Sequence, residues 1–240
     1  MGILTRNYFL MRKLHQLTGV MPLGVYLIVH LLVNSYAMQG QEAFMAKVEL
    51  LETLPFLPVI EFSLIWAPLI YHSIFGIWVG WIAKSNPLRY PYARNWNFML
   101  QRWTGFFMLF FVFYHGITQR FLMGDPAHEA FNNIVHVVQS PLLYAFYLVG
   151  IVATTYHFAN GLWEFCIDWG VTVSMRSQYA VGVLSVVVFI ALTALGYFAL
   201  NAFRIDEIAT KHEISQAHVA PAPHQAPVVQ DMREGITHGR

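Results

Sequence analysis

Five segments of this 240-residue chain are each long and apolar enough to cross a lipid bilayer: Leu17–Met38, Pro58–Ala83, Trp103–Met123, Pro141–Ile167 and Tyr179–Phe203. A helix needs about 20 apolar residues to span the hydrocarbon layer. Lipid offers no partner for a free backbone N–H or C=O, so each span must be helical. The expected fold is therefore all-α, an integral membrane bundle of five transmembrane helices. Composition agrees. The chain is 57% hydrophobic and 11% charged, where soluble domains carry about 25% charged residues. A net charge of +1, with no basic run interleaved with aromatics, gives no nucleic-acid footprint.

The start, "MGILTRNYFLMRKLHQ", lacks the basic end, apolar core and small-residue cleavage site of a signal peptide, so the first span is expected to stay in the protein. Basic residues favour the N-terminal segment (Arg6, Arg12, Lys13) and the connection between spans two and three (Lys84, Arg89, Arg94, Arg102). The other two connections between the first four spans balance Lys47 against Glu42, Glu49 and Glu52, and Arg120 against Asp125 and Glu129. Basic loops stay in the cytoplasm. The N-terminus is thus expected inside a bacterial cytoplasmic membrane, and five crossings put the C-terminus outside. Residues 1–205 form the membrane domain. Residues 206–240, with "HVAPAPHQAPVVQ", read as a disordered tail whose histidines (His212, His218, His224, His238) are loosely spaced for metal binding.

One histidine lies in each of the first four spans: His30, His72, His115 and His157, spaced 42, 43 and 42 residues apart. Ionisable residues inside a membrane are rare and mark function. A lone histidine could bond across helices; four at even spacing ask for more. Each sits about 2–5 Å past the middle of its span, toward the C-terminal end, at about 1.5 Å per residue. Consecutive helices run in opposite directions. His30 and His115 therefore share the outer half, and His72 and His157 the inner half.

Two imidazoles facing each other suit one cofactor class. Zinc asks for three or four ligands at one point, and the single cysteine, Cys166, builds neither a zinc site nor an iron–sulfur cluster. No glycine-rich flavin, nicotinamide or ATP motif is present. Haem iron takes two axial ligands on opposite sides of a flat ring. Two bis-histidine b haems, one above the other in a bundle of the first four helices, fit the count. With both axial positions filled, their work is electron transfer. Gly76 and Gly161 follow His72 and His157 at i+4, on the same helix face. They give clearance for a porphyrin or a close helix–helix contact, since Gly76 and Gly80 also make a GxxxG.

The words "RKLHQLTGVMPLGVYLIVHLLVN", "APLIYHSIFGIW", "RNWNFMLQRWTGFFMLFFVFYH" and "TYHFANGLWEFCIDWGVTVS" closely resemble the diheme cytochrome b anchor of bacterial succinate:quinone oxidoreductases, complex II, in its single-chain, five-helix form. The resemblance covers residues 6–203. It implies a flavoprotein partner with the dicarboxylate site, an iron–sulfur partner, and a quinone, usually menaquinone, as electron acceptor within the lipid. Electrons from succinate would pass by way of the clusters to the inner haem, then the outer.

Carried onto this chain, the resemblance assigns His72 and His157 to the inner haem and His30 and His115 to the outer. It puts His15 and Gln16 near an inner propionate, with Arg102 and Trp103 at the same level. Arg102 serves equally as a positive-inside anchor. Arg120 meets an outer propionate or snorkels to the interface. Glu61 is a quinone or proton partner, or an interfacial carboxylate. Thr155 stands where some fumarate reductases of this class carry a glutamate, which favours succinate oxidation. Other diheme cytochromes b, serving hydrogenases or formate dehydrogenases, share helices and histidine pairs but distribute their ligands differently. A haem transporter and a cofactor-free anchor fit the four retained histidines less well.

Overall fold

The computed structural model describes residues 7–219, with side chains described as far as residue 204. The first expected span is two helices, α1 (Tyr8–Val20) and α2 (Leu23–Ser35), followed by a 3₁₀ turn, Tyr36–Gln39. Pro22 sits between them; it has no N–H to continue the ladder. Then come α3 (Gln41–Glu52), α4 (Leu57–Ile82, with a π-helical turn at Phe62–Trp66) and α5 (Ala93–Ile117, continued by a π turn at Thr118–Leu122). The chain closes with α6 (Pro126–Gln139), α7 (Pro141–Asp168) and α8 (Met175–Val219).

The bundle forms from α1, α4, α5 and α7. The first helix packs on α4 and α7, α5 packs on both of these, and α8 lies outside against α7 and α2. Among the described residues four helical stretches are long and apolar enough to cross a membrane: Tyr8–Gln39, Leu57–Ile82, Pro141–Asp168 and Met175–Arg204. The third expected span is not one of them. Helix α5 has the length, 25 residues, but Arg94, Asn95, Asn97, Gln101 and Arg102 dilute its apolar character. The last helix runs on through Val219, past the expected tail boundary at Asp206, and the first proline that could stop it is Pro221. The rest of the expected tail, residues 220–240, lies outside the described residues.

The connections after the first and third expected spans contain two further helices. Asp125 caps α6 by accepting from Ala127 N–H at 3.0 Å, and Pro126 fills the first turn, where an N–H is not needed. That amide, with the His128 imidazole 3.0 Å away, holds the Asp125 carboxyl below its ordinary range. Residues Phe131, Ile134 and Val138 recur at helical spacing and turn inward. They meet Phe44 of α3 and Phe203 of α8, with ring centroids 5.9 Å (Phe44–Phe131), 5.2 Å (Phe44–Phe203) and 5.0 Å (Phe131–Phe203) apart. So α3 and α6 cap one end of the bundle over a dense apolar core. Elsewhere the surface is greasy. Ile74 is 65% exposed and Phe110 70%, as lipid-facing side chains should be.

Within the bundle the helices approach through glycines. A Cβ on Gly150 of α7 would strike the Phe111 ring of α5, and one on Gly80 would lie 2.9 Å from Phe106. In lipid, close packing replaces much of the hydrophobic drive between helices. Gly150→Ala is therefore expected to destabilise the folded protein by about 1–3 kcal/mol through overpacking, measured as a lower midpoint of unfolding in detergent.

Candidate cofactor site

Topology decides where each span histidine lies. Helices α2 and α5 run toward the end capped by α3 and α6, while α4 and α7 start there and run away. His30 and His115, late in their helices, therefore fall nearer the capped end, and His72 and His157 nearer the open end. The structure brings them together in those pairs. The His72 and His157 rings have centroids 6.2 Å apart at 79°, and the His30 and His115 rings 5.6 Å apart at 78°.

The open-end pair is held identically on both sides. His72 Nδ1 lies 2.9 Å from the His15 carbonyl and 3.4 Å from Thr18 Oγ1. His157 Nδ1 lies 2.9 Å from the Gln101 carbonyl and 3.3 Å from Thr104 Oγ1. A carbonyl only accepts, so each Nδ1 carries the proton and donates it, and each Nε2 keeps its lone pair free. One residue after each threonine is a glycine. A Cβ on Gly19 would lie 2.5 Å from His72 Cε1, and one on Gly105 would lie 3.0 Å from His157 Cε1. The ligand rings occupy the space those side chains would fill.

This symmetry is written in the sequence as a displaced repeat. "H-x-x-T-G" at 15–19 recurs as "Q-x-x-T-G" at 101–105, 86 residues on. His30 to His115, Asn34 to Gln119, His72 to His157 and Gly76 to Gly161 are each 85 residues apart. The one extra residue in the first copy falls between Gly19 and His30, where Pro22 interrupts the helix. Thr18, Gly19, Gln101, Thr104 and Gly105 were missed as site residues by reasoning from histidines alone. The repeated T-G word was the signal for them.

Other expected site residues fall as follows. Gly76 and Gly161 do not face their neighbouring ligand rings. A Cβ on Gly76 would lie 3.1 Å from His15 Cε1, and one on Gly161 would lie 3.3 Å from Gln101 Nε2. Their clearance serves the side chains whose carbonyls hold the ligands. His15 also stacks on His72, with centroids 4.0 Å apart at 16°, and its Nδ1 is buried without a partner. Gln16 Nε2 donates to Asp168 Oδ2 at 2.5 Å, and Arg12 pairs with the same oxygen at 2.6 Å. Arg102 donates to the Phe98 carbonyl at 2.5 Å, while its Nε is buried without a partner. It lines a cavity of about 170 Å³ at the open end with Arg12, Phe98, Glu164, Ile167 and Asp168. Trp103 points away, 65% exposed, because it lies on the lipid side of α5.

Arg120 is already occupied. It bonds Glu52 at 2.8 Å and Glu61 at 3.1 Å, with all three side chains about three-quarters buried. This clamp ties α3 and α4 to the π turn after α5. It is a tighter arrangement than the interfacial arginine and carboxylate expected from the sequence. It engages the Nε and Nη1 of Arg120.

The donor set fits haem. In each pair two imidazole rings stand within 6.2 Å of each other, centre to centre, and an iron porphyrin would take its two protein ligands from such a pair. Among the described residues no group of three or more His, Cys, Asp or Glu converges for another metal. The capped-end pair needs one adjustment. His30 Nε2 lies 3.4 Å from the Asn34 amide, whose stronger bond, 2.8 Å, goes to the His30 carbonyl.

Residues 86–196 match the family described as the succinate dehydrogenase/fumarate reductase transmembrane subunit. The succinate dehydrogenase cytochrome b558 subunit of Bacillus subtilis is 41% identical over 195 residues, covering 81% of this chain and 96% of that protein. The succinate dehydrogenase hydrophobic membrane anchor subunit of Thermoplasma acidophilum is 27% identical over 115 residues, 48% of this chain and 89% of its own.

Removing the shared cation should expose the strain at the clamp. Arg120→Met leaves two partly buried carboxylates without their donor, and is expected to cost about 1–3 kcal/mol of stability. Glu52→Gln, which keeps the Arg120–Glu61 bond, should cost less. Unfolding midpoints of the two variants in detergent check the order.

Proposed function

The chain belongs to the family of succinate dehydrogenase/fumarate reductase transmembrane subunits, and on that premise we propose that its two histidine pairs hold two b haems at different depths in the membrane. It is a membrane-anchor cytochrome b subunit of succinate dehydrogenase. His72 and His157 are the ligands of the inner haem, and His30 and His115 those of the outer. The observation that carries this reading is the matched pair of Nδ1–carbonyl bonds on His72 and His157. Such bonds fix the tautomer and turn Nε2 toward a metal, as partners of metal-ligating histidines do.

Bound between these imidazoles, haem supplies one-electron transfer between an iron–sulfur partner and a membrane quinone, menaquinone by the chain's family likeness. The protein's own part is to fix the rings. Thr18 and Thr104 restrain each Nδ1 from the side, and Gly19 and Gly105 let the rings approach the neighbouring backbone. His15, Gln16 and Arg102, the last of them lining the open-end cavity, are the donors for the inner propionates. Trp103 is not among them. The lipid-facing surface excludes water from both pairs. The dicarboxylate site belongs to the flavoprotein partner, and the open end, with its Arg and Lys residues, faces the cytoplasm.

The test is ligand substitution followed by reduced-minus-oxidised absorbance of the purified complex. His72→Ala and His157→Ala are expected to remove one and the same haem component, and His30→Ala and His115→Ala the other. Loss of a single component by both His30→Ala and His72→Ala sinks the pairing. Gly19→Val and Gly105→Val, which displace only the first pair of rings, should lower the content of that component alone.

A further inference from the structure

The two pairs differ in what holds their imidazoles. At the open end both Nδ1 atoms meet backbone carbonyls, which no substitution can remove. At the capped end His115 Nδ1 meets a side chain, the Tyr147 hydroxyl, at 3.2 Å. Tyr147 is 4% exposed and is fixed from three sides. Its ring makes edge contacts with His115 (centroids 5.4 Å apart at 79°) and with Phe111 (5.4 Å at 86°). Gln119, one turn after His115, donates its amide toward the same hydroxyl at 3.4 Å.

The repeat sharpens the point. The position 85 residues before Tyr147 is Phe62, which has no hydroxyl and is 63% exposed. The polar contact of His30 is Asn34 on its own helix. Only one ligand of this pair therefore has a cross-helix partner for its ring N–H.

We infer that Tyr147 is a positioning residue that sets the orientation and electron-donating strength of His115, and through it the reduction potential of the outer haem. The inference rests on His30 and His115 holding that haem. With Nε2 given to iron, Nδ1 carries the proton and donates to the Tyr147 oxygen. An accepted N–H makes the imidazole a stronger donor to the metal, which favours the oxidised form. Removing the acceptor should raise the potential of that haem and leave the other unchanged. Because this acceptor is a side chain, a single substitution removes it, whereas the carbonyls that hold the inner pair stay whatever the residue.

The experiment is a redox titration of the purified complex, followed by optical absorbance and low-spin electron paramagnetic resonance, with Tyr147→Phe beside the native chain. Phenylalanine keeps the ring that packs on Phe111. Difluorotyrosine at position 147 keeps the volume and weakens the acceptor, and so guards against a folding defect in the first variant. Both should raise the potential, and shift the resonance, of the component that His115→Ala deletes; the second should give the smaller shift. An unmoved potential in both, or equal shifts in the two components, overturns the inference. If His115→Ala deletes neither component or the wrong one, the haem assignment has failed instead.

Discussion

An imidazole in the middle of an apolar bundle is costly unless each of its nitrogens is used. That requirement organises this protein. One nitrogen of His72 and of His157 is spent on a backbone carbonyl of a neighbouring helix. A carbonyl near a helix interior is normally taken by the amide four residues on, so the imidazole shares it from the side. Such sharing needs the two helices to come unusually close. Gly19 and Gly105 permit that approach, and the threonines before them complete the cradle. The second nitrogen of each keeps its lone pair free, and the two rings stand 6.2 Å apart, centre to centre.

The same cradle is used twice because the chain repeats a two-helix unit, displaced by 85 to 86 residues. The two units lie in the same orientation, with equivalent helices running the same way, which puts equivalent histidines opposite each other and so pairs them at two depths. The copies have diverged at the edges. His15 and Gln101 occupy equivalent places, and both offer a carbonyl to a ligand. Only Gln101 adds a side-chain bond back to its partner helix, donating to the His157 carbonyl at 3.0 Å and accepting from Asn160 at 2.9 Å. At the capped end, helices α3 and α6 and the Arg120 clamp close over the upper pair. At the open end a polar cavity lies beside Arg102, the residue after Gln101.

Much of this was legible in the sequence. Hydropathy located four of the five expected spans, and histidines lying past the middle of helices that alternate in direction gave the two depths at which the rings meet. Four things were not legible. Helices α3 and α6 are short and amphipathic, so they do not register as spans; only packing on Phe203 gives them their place. Which of its two readings Gly76 would take was not legible: the glycine gives a close helix–helix contact, against His15 of the first helix. Trp103 was grouped with Arg102 by adjacency, and neighbours on a helix point about 100° apart. Arg120 was read as a lone cation because its partners, Glu52 and Glu61, lie 68 and 59 residues away in sequence.

The central claim is that one chain holds two haems, each between two histidines. The most direct measurement is the haem content of the purified complex, by the pyridine haemochrome method, set against the amount of this chain. The account predicts two b-type haems per chain, both low-spin in the oxidised form. A ratio of one, or a high-spin haem with an open axial position, contradicts it.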